Sequence, residues 1–342
     1  MRDSGLSELV RLGANESAFG PSPKAVEAMT AALPHLWWYG DPESYELREA
    51  LAAKHGCSIE QVVVGSGIDD LMGLAVRAFV PPGGRALTTA GSYPTFNYHV
   101  TGYGGSLSFA PYRDDGTVDL DALVEIARRE RPRVLYLANP DNPSGSFAAR
   151  ARMQAFYEAL PHDTLLFLDE AYGDFVDAGD VLPAHLEDRL VRTRTFSKAY
   201  GMAGARIGYA ISSERNVQTF QKIRLHYGVN RNAQVGALAS LADPAFHASV
   251  VRETAVAREA YYALGAELGV PTLPSLTNFV LFDCGSVARA NRVMAELLQR
   301  GVWIRKPAVA PLDRYVRVSA GTATMRAAFA QALRDVLAQV PV

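Results

Sequence analysis

The chain has 342 residues, 49% of them hydrophobic and 20% charged, an ordinary globular composition that excludes disorder over most of the length. Lys and Arg number 34 against 36 Asp and Glu, a formal charge of -2 with no basic block, so nucleic acid and anionic membrane are poor partners. At roughly 100–200 residues per domain, one large and one smaller domain are expected.

Residues 1–8 lack the apolar core of a signal peptide, and no run approaches the roughly 18 apolar residues of a membrane span. Cys57 and Cys284 are the two cysteines; they stand far apart, in no metal-ligand spacing. No zinc site or disulfide framework is implied, and a cytoplasmic location is expected.

Short apolar runs bounded by Gly, Pro or Asp predict strands over 61–64, 85–89, 106–110, 133–138, 164–169, 190–195 and 207–211,. Helical patterns lie between them at 69–79, 120–131 and 147–160. This alternation predicts an α/β fold, a mostly parallel sheet covered on both faces by helices. Ligands of such sheets sit at the carboxyl ends of the strands. From about residue 245 the pattern changes to long helices at 245–268, 287–300 and 325–337, with strands near 278–282, 302–304 and 315–318. The expected division is a large domain over 40–245 and a smaller α+β domain from 1–39 and 246–342.

The residues after each strand carry the chemistry. Lys198 stands in Thr195-Phe196-Ser197-Lys198, followed by Gly201, Gly204 and Arg206. Desolvated there, its amine has a lowered pKa and forms a Schiff base with an aldehyde; exposed, it is a surface lysine at a helix start. Thr195, Ser197 and Arg206 suit a phosphate dianion. Gly65-Ser66-Gly67-Ile68 opens a helix and offers Ser66, Gly67 and Ile68 as a second phosphate element, or is simply a tight connection. Asp169 ends an apolar strand and needs either a cationic partner, such as a protonated pyridine nitrogen, or a helix start to cap. Tyr172 and Asn142 suit a phenolic oxygen on the same ring, unless the Asn139–Gly145 segment is simply a turn, and Tyr93 suits stacking on it or core packing. Strand alternation sets Arg317 on one face with Tyr315 and Ser319, as an anion ligand or as part of a solvated face; Arg305 is a second candidate.

Together these motifs resemble the fold-type I pyridoxal 5'-phosphate (PLP) aminotransferases, in particular the histidinol-phosphate aminotransferase group. The resemblance runs in order along nearly the whole chain, from Asn15-Glu16-Ser17-Ala18-Phe19-Gly20 and Tyr39-Gly40-Asp41-Pro42 to Tyr315–Gly321. It implies a seven-stranded, mostly parallel sheet, PLP as cofactor, an amino donor and a 2-oxo acid as substrates, and a homodimer. By resemblance Lys198 is the Schiff-base lysine and proton carrier. Asp169 pairs with the pyridinium, Tyr172 and Asn142 bond the ring oxygen, and Tyr93 stacks. Ser66, Gly67, Ile68, Thr195, Ser197 and Arg206 hold the phosphate, joined by Tyr39 from the partner subunit. Arg317 binds the substrate's anionic group, with Asn15 in the substrate loop and Arg305 nearby. Ser17-Ala18, Ile68, Trp37-Trp38 and Arg224–Asn230 depart from the group's usual pattern where substrate would contact. A decarboxylase, cyclase, eliminase or oxidase on the same scaffold is therefore the alternative. A non-catalytic sensing module would need degraded cofactor residues or an added basic helix-turn-helix, and the sequence has neither.

Overall fold

The computed structural model describes residues 9–182 and 188–339, so the segment 1–8 lies outside the described residues. Strand β1 (Val10–Arg11) precedes seven strands of one sheet. These are β2 (Val62–Gly65), β3 (Arg85–Thr89), β4 (Ser106–Ala110), β5 (Val134–Ala138), β6 (Leu165–Asp169), β7 (Leu190–Thr195) and β8 (Gly208–Ser212). Their order across the sheet is β2-β8-β7-β6-β5-β3-β4. Strand β8 is antiparallel to β2 and β7, and all other pairs are parallel. The α/β, mostly parallel seven-stranded sheet is as expected.

Alternate residues of β5 and β6 enter two different cores. Val134, Tyr136, Leu165 and Phe167 pack under the helix Ile68–Phe79, while Leu135, Leu137, Leu166 and Leu168 pack under Leu120–Glu130 and Arg150–Ala159. Burial on both faces is why these strands read as unbroken apolar runs. The register then aligns the strand ends: Ala138 lies beside Asp169, Asp169 beside Thr193, and Thr195 beside Gly208, which also faces Gly65. Because β8 runs against its neighbours, its incoming end lies at their carboxyl edge. Arg206 is thereby delivered to the ends of β6 and β7.

Strands β9 (Thr272–Leu273), β10 (Phe279–Asp283), β11 (Val302–Trp303) and β12 (Tyr315–Ser319) form smaller sheets. The order β12-β10-β9 is antiparallel, and β1 pairs parallel with β11. The helices Pro244–Leu268, Val287–Gln299 and Ala323–Gln339 enclose a core containing Leu12, Phe282, Val293 and Phe329. The described part of the N-terminal segment, 9–39, divides between two cores: Leu12 joins this one, whereas Ala25 and Met29 of the helix Pro23–Ala32 pack with Val62, Ile207 and Tyr209. The stretch between them crosses the carboxyl edge of the large sheet. There Gly201, at φ +68, passes so close to Gly20 that a Cβ would stand 2.0 Å from the Gly20 carbonyl oxygen.

Candidate active site

A cavity of about 260 Å³ opens at the carboxyl edge of the large sheet. Strand β6 supplies its floor through Asp169, which is 5% exposed. The Asp169 carboxylate accepts hydrogen bonds from the Tyr136 hydroxyl at 2.8 Å and the Ala171 N–H at 2.9 Å. Burial nevertheless pushes its pKa up to about 6, because two neutral donors do not replace water around a charge. Its neighbour Glu170 has the opposite fate. Burial would raise Glu170 too, but Arg192 and Arg194 at 2.8 and 3.0 Å offset it and hold the carboxyl below its usual value. Of two adjacent buried carboxylates, Asp169 is thus the one whose charge lacks a close cationic partner.

Lys198 follows β7 and also lines the cavity. Its Nζ donates to the Asn15 carbonyl at 3.0 Å and lies 5.5 Å from the centre of the Tyr172 ring. Burial first, and Arg317 second, lower its pKa from 10.5 to about 8. Thr195 and Ser197 line the wall beside it, with the Thr195 hydroxyl accepting the Ser197 N–H at 3.0 Å.

Ile68 begins the helix Ile68–Phe79, whose N-terminus has no side-chain cap. The first N–H groups of a helix lack intrahelical partners and favour an anion. Gly67, at φ +90, lets Arg206 approach: a Cβ there would lie 2.7 Å from Arg206 Nη2. Arg206 is held by the Ala203 carbonyl at 3.0 Å and Asp69 at 3.4 Å. Ser66 donates its hydroxyl to the Gly228 carbonyl, and the Gly67 N–H turns back to Gly65 at 2.8 Å.

Tyr93, Asn142 and Tyr172 complete the cavity. Burial pushes the Tyr93 hydroxyl up to about 12 and raises Tyr172 further. Arg317, partly buried on β12, reaches Asn142 Oδ1 at 2.6 Å and the Gly13 carbonyl at 3.4 Å. Asn15 turns its side chain to Tyr172 and Ser319. Two of the expected residues lie apart. The Arg305 guanidinium rests over Trp303, 5.1 Å from the ring centre, and Tyr39 is 78% exposed, its ring 4.5 Å from that of Tyr227.

Sequence reasoning missed Tyr136, Asp69, Glu16 and Ser319. Tyr136 had a signal: a hydroxyl inside the apolar run of β5 requires a buried partner. Ser319 had none, since its partner Asn15 lies 304 positions away.

The donor set suits one cofactor. An amine neutral near pH 8 can bond an aldehyde, an uncapped helix start with Arg206 suits a phosphate, and the uncompensated Asp169 suits a protonated ring nitrogen. Beside a sheet of this strand order, such a cavity defines a fold-type I PLP enzyme.

The family model for aminotransferase class I and II matches residues 7–333. The chain is 35% identical to histidinol-phosphate aminotransferase 1 of Mesorhizobium japonicum, covering 97% of this chain and 91% of that protein. It is 37% identical to histidinol-phosphate aminotransferase 1 of Thiobacillus denitrificans, covering 99% and 89%. A solved structure of histidinol-phosphate aminotransferase from Sinorhizobium meliloti in complex with pyridoxal-5'-phosphate superposes with a TM-score of 0.97 at 42% identity, covering 99% of this chain and 94% of that one. The chain belongs to the class I and II aminotransferases, and its cofactor is PLP.

Proposed function

We propose that this aminotransferase takes histidinol phosphate as its amino donor and a 2-oxo acid as acceptor. The observation that carries the reading is Arg317, a guanidinium fork that reaches Asn142 of the cavity wall at 2.6 Å, suited to a substrate phosphate in one half-reaction and a carboxylate in the other. The names of the relatives point to the same donor.

Bound PLP supplies an electron sink for charge developing on the substrate α-carbon. In our reading Lys198 holds the cofactor aldehyde and, once substrate displaces it, takes the α-proton as a base and returns a proton as an acid. Asp169 keeps the ring nitrogen protonated. Tyr172 and Asn142 bond the ring oxygen, and Tyr93 stacks on the ring. Ile68, Thr195, Ser197 and Arg206 hold the phosphate, with Ser66 and Gly67 forming the rim of that cup. Arg317 is the substrate-side cation, with Asn15 contributing through Tyr172, while Arg305, held over Trp303, is left outside this set.

A homodimer is part of the same proposal. Trp37, Tyr39, Leu225 and Tyr227 are exposed large side chains, and the rings of Tyr39 and Tyr227 pack together at 4.5 Å; exposed apolar surface of this kind marks an interface, and the partner's copy would bring Tyr39 to the phosphate. We also propose a cofactor-binding domain over 40–245, a smaller domain built on β1 and the residues after 245, and a cytoplasmic location. No helix among the described residues is long and apolar enough to cross a membrane.

The test mixes PLP-loaded enzyme with histidinol phosphate, or with a panel of other amines, in the absence of any 2-oxo acid. Accumulation of the amino form of the cofactor with histidinol phosphate supports the reading. Reaction with other donors alone overturns the donor. Consumption of donor without that accumulation points instead to decarboxylation, elimination, cyclisation or oxidation.

A further inference from the structure

The cavity's hydrogen bonds fix the direction of one proton. Asn15, Ser319 and Tyr172 are 2%, 2% and 3% exposed, so bulk water does not complete their hydrogen bonds. The Asn15 N–H donates to Ser319 Oγ at 2.9 Å. The Ser319 hydroxyl, having accepted that bond, gives its own hydrogen to Asn15 Oδ1 at 3.3 Å,. The Asn15 amide is thereby oriented with its oxygen toward Ser319 and its nitrogen toward Tyr172, and Nδ2 donates to the Tyr172 hydroxyl at 3.0 Å. A phenol that receives this bond has its single hydrogen to give elsewhere, and Tyr172 lines the cavity. Burial keeps that hydroxyl protonated.

We propose that Ser319 and Asn15 are positioning residues that aim the Tyr172 proton into the cavity, at the ring oxygen of the cofactor. The inference rests on the placing of Tyr172 against that oxygen. Both residues are anchored for the task. The Asn15 carbonyl receives Asn278 Nδ2 at 3.0 Å and Lys198 Nζ at 3.0 Å. The Ser319 N–H donates to the Leu12 carbonyl at 2.8 Å, and the Ser319 carbonyl receives the Tyr261 hydroxyl at 2.9 Å. A reversed amide would set its oxygen against Tyr172 and draw the hydrogen out of the cavity. A strand of the smaller sheet thus sets the polarity of a bond made at the larger one.

The readout is the pH titration of the bound cofactor's absorbance. A hydrogen bond to the ring oxygen draws negative charge away from the neighbouring nitrogen proton, so that proton leaves at lower pH. Ser319→Ala releases the amide without changing any charge. We expect the midpoint to rise by about 0.4–1 pH unit, the equivalent of one neutral hydrogen bond, in the same direction as Tyr172→Phe. Ser319→Thr keeps the hydroxyl and the original midpoint, and Ser319→Cys, a weaker donor, gives an intermediate value should the alanine variant not fold. In a Tyr172→Phe background, Ser319→Ala should add nothing. A Ser319→Ala midpoint that stays in place while Tyr172→Phe moves it overturns the relay, as does an equal shift in both backgrounds. An unmoved midpoint in Tyr172→Phe itself overturns the placing of Tyr172, and the relay with it.

Discussion

Raising the pH over cofactor-free enzyme tests the environment of Lys198 directly. Its pKa falls from 10.5 to about 8, a difference worth ~3.4 kcal/mol between the protonated and neutral forms. Only the neutral amine attacks an aldehyde. At pH 7 about one Lys198 in ten is neutral, against about one in three thousand for an ordinary lysine. Stopped-flow mixing with excess PLP, followed by the absorbance of the lysine-bound cofactor, should therefore give a rate that climbs about tenfold above pH 7 and levels off a unit beyond the midpoint near 8,. Asp169, near 6, titrates below this window, and Lys198→Ala should give no signal. A rate still climbing tenfold per unit at about pH 10 would refute the desolvated lysine.

The cause can be dissected by substitution. Burial is the first contribution to the lowered pKa and Arg317 the second. Arg317→Gln removes the second and leaves the first, so the midpoint should move upward yet stay below 10.5. Linkage gives the matching stability profile. The folded chain binds fewer protons at Lys198 than the unfolded chain between about pH 8 and 10.5, so this lysine's contribution to stability rises with pH there,.

Asp169→Ala should keep part of the cofactor, since the phosphate contacts remain, but lose most turnover; an unchanged kcat would refute the proposed pyridinium contact. In the cofactor-free protein Asp169 binds more protons folded than unfolded between 3.8 and about 6, so its contribution to stability should fall as pH rises through that range and flatten in the alanine variant,. Gly201→Ala places a Cβ 2.0 Å from the Gly20 carbonyl at φ +68, a backbone strain of about 1–3 kcal/mol before the clash is counted. The thermal midpoint should drop and KM for the donor should rise; a variant matching the parent in both would show that the loop moves aside without cost.

All seven strands of the large sheet were legible: β5 and β6 are buried on both faces and read as apolar runs,, whereas the edge strand β4, largely exposed, was marked by the Gly and Pro that bound it. The predicted 61–64 and 207–211 differ by one residue at each end from Val62–Gly65 and Gly208–Ser212. Strands β1 and β9 were not legible: at two residues each they carry no periodicity, and pairing with β11 and β10 alone defines them. The same divide separates the site residues. Lys198, Asp169 and Ile68 follow strands or open a helix, positions that local sequence marks. Asn15 and Ser319 matter through each other, and nothing near either one announces a partner across the chain.

That difference has a physical basis in how the large sheet and the smaller sheets each contribute to the site. The large sheet can align Asp169, Thr195 and Arg206 by register alone, since parallel pairing sets the ends of β6 and β7 at one edge and the antiparallel β8 begins there. It cannot by itself orient an amide or a hydroxyl. That task falls to contacts made by the smaller sheets and the N-terminal stretch: Arg317 to Asn142 at 2.6 Å, Asn15 to Ser319 at 2.9 Å, and the Leu276 N–H to the Gly145 carbonyl at 3.1 Å. Gly145, at φ +81, allows the last of these to close, because a Cβ would lie 2.6 Å from Ser275 Oγ. Chemical identity is therefore carried by the strand ends, whereas the direction of hydrogen bonds is carried by the seam. Substitutions along that seam should alter pH profiles and donor preference more than cofactor retention.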